Sequence, residues 1–168
     1  MLRLGFLCSR GDCCERRQGR DSGVGDPLAV GRAGMTLGEV LRIVDGRPIS
    51  RTFDPSLEVS MACGADLMSD VLAFTHAGTL LLTGLTNPQV VRTAEMAGIR
   101  AIIFVRGKYP PPETIALGEE KEIPLLATRY TLYEACGRIY QAGLPGCGLF
   151  NIGQDNWPGA SDPPAPRE

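Results

Sequence analysis

The 168-residue chain is poor in the residues that most often do chemistry, with one histidine, one tryptophan and an aromatic share of only 6%. His76 has no serine or cysteine at an informative spacing, so a nucleophile–base pair is not expected. None of the six cysteines forms a Cys-x-x-Cys pair. A zinc centre takes about four correctly spaced Cys or His ligands. Cys8, Cys13 and Cys14 fall short of that, because adjacent residues do not easily aim both thiols at one ion. No metal and no cofactor is expected.

Long apolar runs are missing too, and nothing approaches the roughly 20 residues of a membrane span. The patch Leu4 to Cys8 follows Arg3 and is closed by Arg10, shorter than the roughly 7–15 residues of a secretory signal core. The chain is therefore expected in the cytoplasm, with no membrane partner. A net charge of −2 lacks the basic excess of a nucleic-acid binder, so no nucleic-acid partner is expected either. Gly107-Lys108 is the only Gly-Lys pair, but Ile102 stands where a phosphate loop needs its first glycine and Tyr109 follows the lysine. The patterns G-x-G-x-x-G and G-x-S-x-G do not occur.

What is present is one well-patterned segment between two irregular ones. Residues 1–34 hold six Arg against four acids, with several Gly and no sustained apolar period, and are expected to be a disordered extension. Met35 opens the regular pattern, and we read it as the natural start of translation; peptides from residues 1–34 in a mass spectrum of the native protein would refute that. Residues 145–168 are dense in Pro and Gly and are expected to be a disordered tail. The core segment, 35–144, reads as a single α/β domain with a mostly parallel sheet flanked by helices.

The elements of that domain carry local signals. Thr36-Leu-Gly-Glu39 is a capping box before Leu37, Val40, Leu41 and Val44 at helical spacing. Pro48 to Phe53 reads as an edge strand and Glu58 to Ala62 as a second strand. Asp66 is placed to cap a helix whose apolar face is Leu67, Met68, Val71 and Leu72. Thr79 to Thr83 is a continuous apolar strand of the doubly buried kind. Asn87 and Pro88 then start a helix that Gly98 ends. Ala101 to Val105 is a strand, Pro112 and Glu113 open a helix, and Ile123 to Ala127 is another strand. A second capping box, Thr131 to Glu134, starts the last helix, with Leu132, Ala135, Cys136 and Ile139 inward and Gly143 as its stop.

In an open parallel sheet, ligands bind outside the carboxyl ends of the strands. Those ends carry Gly64 and Asp66, then Gly84, Thr86 and Asn87, then Arg106, Gly107 and Lys108, and finally Thr128 and Arg129. Three cations, small hydroxyls and helix N-termini suit an anionic small molecule, such as a nucleotide or phosphorylated metabolite. Structural duty competes with that reading. Capping accounts for Asp66, Asn87 and Thr131, tight turns account for Gly84 and Gly107, and Arg106 can pair with Asp66 or Asp70. Asp66 and Asp70 alone make a poor acid–base or metal pair. Cys136 reads as an inert core thiol and Cys63 as the more reactive one.

The blocks Gly64 to Phe74, Leu80 to Gln89, Val105 to Lys108 and Ile123 to Thr128 resemble DRTGG domains, specifically the small stand-alone proteins of that family. The resemblance covers residues 35–144. It implies an accessory, regulatory or dimer-forming module, similar to the N-terminal domain of HPr kinase/phosphorylase without the kinase domain. The residues that name the family are largely replaced, by Leu85-Thr86 at one place and by Val105-Arg106-Gly107 at the other. The expected function is thus a non-catalytic regulatory or protein-interaction module, forming a homodimer and acting on a protein partner. An anion sensor at the strand ends is the alternative, and an enzyme ranks last.

Overall fold

The computed structural model describes residues 34–147. The expected disorder of residues 1–33 and 148–168, and the proposed start at Met35 as a question about residues before it, lie outside the described residues.

The first capping box forms as the pattern predicts. Thr36 Oγ1 accepts from the Glu39 amide at 3.3 Å, and the Glu39 carboxylate accepts from the Thr36 amide at 3.0 Å. This starts α1 (Leu37–Ile43), which follows the short strand β1 (Met35–Thr36). The apolar stretch expected at 58–62 divides at Ser60. β3 (Glu58–Val59) pairs antiparallel with β1, while β4 (Met61–Gly64) enters the main sheet. The edge strand at Pro48 is short, β2 (Arg47–Pro48), and runs antiparallel.

The main sheet contains β4, β5 (Thr79–Thr83), β6 (Ala101–Phe104) and β7 (Leu125–Ala127) in parallel, with β2 closing the far edge in the order β2-β7-β6-β5-β4. Helices α2 (Met68–Phe74), α3 (Pro88–Ala97), α4 (Pro112–Glu120) and α5 (Leu132–Gln141) make the crossovers and the return. This is the expected α/β fold with a mostly parallel sheet flanked by helices.

The pleat sorts the apolar strand residues into two cores. Leu80, Leu82, Ile103 and Leu126 face α1 and α5, against Leu37, Val40, Ala135 and Ile139. Leu81, Ile102, Phe104 and Leu125 face the other way, against Val71 of α2 and Val90, Val91 and Ala94 of α3. All residues of β5 and β6 are buried, which explains their unbroken apolar runs.

The expected caps of three helices are corrected. Asp66 does not cap α2; Leu67 holds the cap position without a side-chain hydrogen bond, because the Asp66 carboxylate is used elsewhere. Asn87 holds the cap of α3 in extended conformation but makes no capping bond. Thr131 does cap α5, yet Glu134 turns to Arg138 one turn on at 2.9 Å instead of completing the box. The apolar face expected for α2 is also too generous, since only Val71 is buried there. The ordered chain continues past Leu144: Ala62 donates to Pro145 O at 2.8 Å, so residues 145–147 run along β4.

Candidate functional site

The carboxyl ends of β4, β5 and β6 converge on Asp66. Oδ1 accepts from the Gly84 amide at 2.6 Å and from Thr83 Oγ1 at 2.9 Å, while Oδ2 faces Arg106 Nη2 at 3.2 Å. Partial burial pushes this carboxyl up. The hydrogen bonds from Gly84 and Thr83, with the charges of Arg106 and Lys108, outweigh it and hold the group below its ordinary value. Lys108 Nζ donates to Gly84 O at 2.6 Å, so both backbone groups of that glycine are engaged by the rim. The absence of a side chain on Gly84 leaves the space that the Arg106 guanidinium occupies.

Arg106 reaches Asp66 from an unusual backbone. Its φ is 65° and that of Gly107 is also 65°, two consecutive left-handed residues. A non-glycine residue pays about 1–3 kcal/mol there. The corner is held by Arg106 N–H to Tyr130 O at 2.8 Å and Gly107 N–H to Thr128 O at 2.9 Å.

The structure therefore brings Asp66, Gly84, Arg106 and Lys108 together and separates the rest of the expected rim. Arg129 pairs with Asp45 at 3.2 Å, and both side chains are largely exposed. Thr128 is buried and gives its hydroxyl to Val44 O at 2.6 Å, fastening β7 to the end of α1. Gly64 lies beneath Cys136 and Leu132 of α5. Thr86 contributes its carbonyl, which accepts from Thr114 of α4 at 2.9 Å. Asn87 is exposed at the start of α3. The expected convergence of three cations is thus a convergence of two, because the Arg129 side chain pairs with Asp45, in the turn between α1 and β2, and not with Asp66.

Thr83 belongs to this site and was missed from sequence. A hydroxyl closing the otherwise apolar run Thr79 to Thr83 was the available signal. The thiol assignment is also revised. Hydrogen bonding to Cys147 and burial raise Cys63, whereas the same bond lowers Cys147 to about 7 despite its burial. Burial alone raises Cys136. Among the described residues no cluster of His, Cys, Asp or Glu is arranged to hold a metal ion, and no helix is long and apolar enough to cross a membrane.

The DRTGG domain profile matches residues 39–142, from α1 through the end of α5. The chain belongs to the DRTGG family. No curated protein matches it in sequence. Its fold is similar to that of the CBS and DRTGG domains of the regulatory region of Clostridium perfringens pyrophosphatase, solved in complex with the activator diadenosine tetraphosphate. That likeness has a TM-score of 0.57 at 15% identity and covers 74% of this chain. This chain spans 54% of that one, about half its length.

Proposed function

We propose that this DRTGG domain is a non-catalytic regulatory module that pairs with a second copy of itself through α2. The observation that carries the reading is the apolar arc of that helix. At the α-helical period, Phe74, Leu67, Val71, Met68 and Leu72 span about 160° of the circumference. The domain covers only the middle of the arc: Leu67, Leu72 and Phe74 are 59%, 46% and 47% exposed. The exposed residues form two apolar strips, Leu67 with Phe74 on one side of the packed middle and Leu72 on the other, and exposed apolar surface of this kind suits an interaction face. Two-fold pairing is the commonest way to cover one, because a single patch then serves both copies.

Sedimentation velocity on the full chain over a concentration series tests this reading. The wild type is expected to sediment as a dimer, and the Leu67→Glu/Leu72→Glu variant as a monomer that still unfolds in one cooperative transition, with a melting temperature no longer dependent on concentration. A wild type that stays monomeric throughout overturns the reading.

A second reading adds an anionic ligand, nucleotide or phosphorylated metabolite, at the Arg106–Lys108 corner. Strained non-glycine backbone concentrates at ligand clamps, and Arg106 keeps a half-exposed guanidinium (49%) at the strand ends. The activator-bound pyrophosphatase region of similar fold lends support. A thermal-shift screen of nucleotides, diadenosine tetraphosphate included, is expected to raise the melting temperature of the wild type. The shift should vanish in Arg106→Ala/Lys108→Ala, and its persistence there removes the corner as the site.

A further inference from the structure

Cys63 and Cys147 lie side by side at the free edge of the main sheet, and the backbone explains why. After α5 the chain turns at Gly143, whose φ of 102° suits glycine, and runs alongside β4. The Ala62 amide donates to Pro145 O at 2.8 Å and the Cys147 amide donates to Ala62 O at 3.0 Å, a parallel bridge between Ala62 and Gly146. One step along a parallel pair, the next residues are again neighbours with side chains on one face. Those residues are Cys63 and Cys147. Strands so paired are about 4.8 Å apart, inside the roughly 4.4–6.8 Å between Cα atoms that a disulfide spans. The Cys147 thiol donates to Ala62 O at 3.5 Å, and the Cys63 and Cys147 sulfurs are near enough to shift one another's ionisation in opposite directions.

Cys136, the third free thiol among the described residues, is on the wrong side. Its sulfur fills the space above Gly64, and the pleat points Gly64 and Cys63 to opposite faces. Cys136 packs with the α1 and α5 core, whereas Cys63 lies in register with Leu81 of the other core.

We propose that Cys63 and Cys147 are a redox modification site, a reversible disulfide that locks the segment after α5 onto β4. The oxidant is a low-molecular-weight disulfide. Cys147, as thiolate, attacks one sulfur of it, forming a mixed disulfide and releasing one small thiolate. Cys63 then gives up its proton and attacks the Cys147 sulfur, forming the internal bond and expelling the second small thiolate. The protein loses two hydrogens and the oxidant becomes two thiols. Cys147 is the first attacker because the adjacent Cys63 thiol lowers it to about 7, and a thiol whose pKa lies near ambient pH attacks best.

The test treats the full chain with glutathione disulfide or with dithiothreitol, alkylates free thiols and maps peptides by mass spectrometry without reduction. The expected product is a Cys63–Cys147 cross-linked peptide, absent after dithiothreitol, retained in Cys136→Ser and lost in Cys63→Ser and Cys147→Ser. Cys63→Ser should instead hold glutathione on Cys147. Hydrogen exchange at the Ala62 amide should slow on oxidation. A cross-link from Cys63 to Cys136, Cys8, Cys13 or Cys14, or a wild type whose thiols all remain alkylatable, overturns the site. Unchanged exchange at Ala62 in cross-linked protein overturns the lock.

Discussion

Asp66 carries three interactions on one carboxylate, and the consequence of removing it follows from the groups it would leave behind. The Gly84 amide sits at a buried position and has Asp66 as its acceptor. Leaving a buried donor unpaired costs about 1–3 kcal/mol. Asp66→Ala is expected to lose that much unfolding free energy in urea, and Asp66→Asn less, since an amide oxygen can still accept. The sign of the pH effect is fixed by the lowered carboxyl. A group depressed in the folded state contributes fully above its unfolded value, near 3.8, and loses the contribution as pH falls through the lower folded value. Urea titrations below about pH 4 should therefore show a steeper acid loss for wild type than for Asp66→Asn. Arg106→Gly removes left-handed strain while breaking a half-exposed ion pair that contributes only about 0–1 kcal/mol. It should keep or raise the melting temperature while losing any nucleotide-induced shift, which separates the role of the guanidinium from folding. At this scale the sequence was informative about residue type and weak about partner. Asp66 before a helix matches the capping pattern, and only the approach of β5 reveals that its oxygens are already taken.

Among the elements, α4 shows how a small residue sets a packing distance. Thr114 and Gly118 are its buried positions, and a Cβ on Gly118 would meet the Leu125 side chain at 2.6 Å. Gly118→Val should force α4 off β7 and cost about 1–3 kcal/mol by overpacking, read as a lower urea midpoint with an unchanged slope. At the other end of the chain, Thr36→Ala removes one half of the capping box and should cost about 1 kcal/mol. Elements with a strong period were legible: β5 and β6 as unbroken apolar runs, α3 between Pro88 and Gly98, α5 behind Thr131. The division at Ser60 was not, because β3 and β4 share one apolar pattern and differ only in partner, β1 for one and β5 for the other. The arc of α2 was legible as apolar, but how much of it the domain covers depends on where α3 and the sheet stop.

For the whole molecule, the two cores on either side of the sheet leave α2 as the helix with an apolar surplus, and the edge of β4 as the place where residues 145–147 attach. Both proposed controls, pairing through α2 and the Cys63–Cys147 bond, therefore act on the β4 side of the sheet. Oxidised and reduced protein compared by sedimentation velocity are expected to differ in dimerisation constant; equal constants would show that the two act independently. The order of strands and helices, the burial of the central strands and the family likeness were determined by sequence alone, because apolar periodicity and caps act within a few residues. Which carboxylate meets which cation, which thiol lies beside which thiol, and which apolar side chains of α2 stay exposed were decided only by tertiary structure. Those pairings join residues far apart in the chain, such as Asp66 with Arg106 and Cys63 with Cys147, whose meeting depends on strand order and register, and no local pattern encodes either.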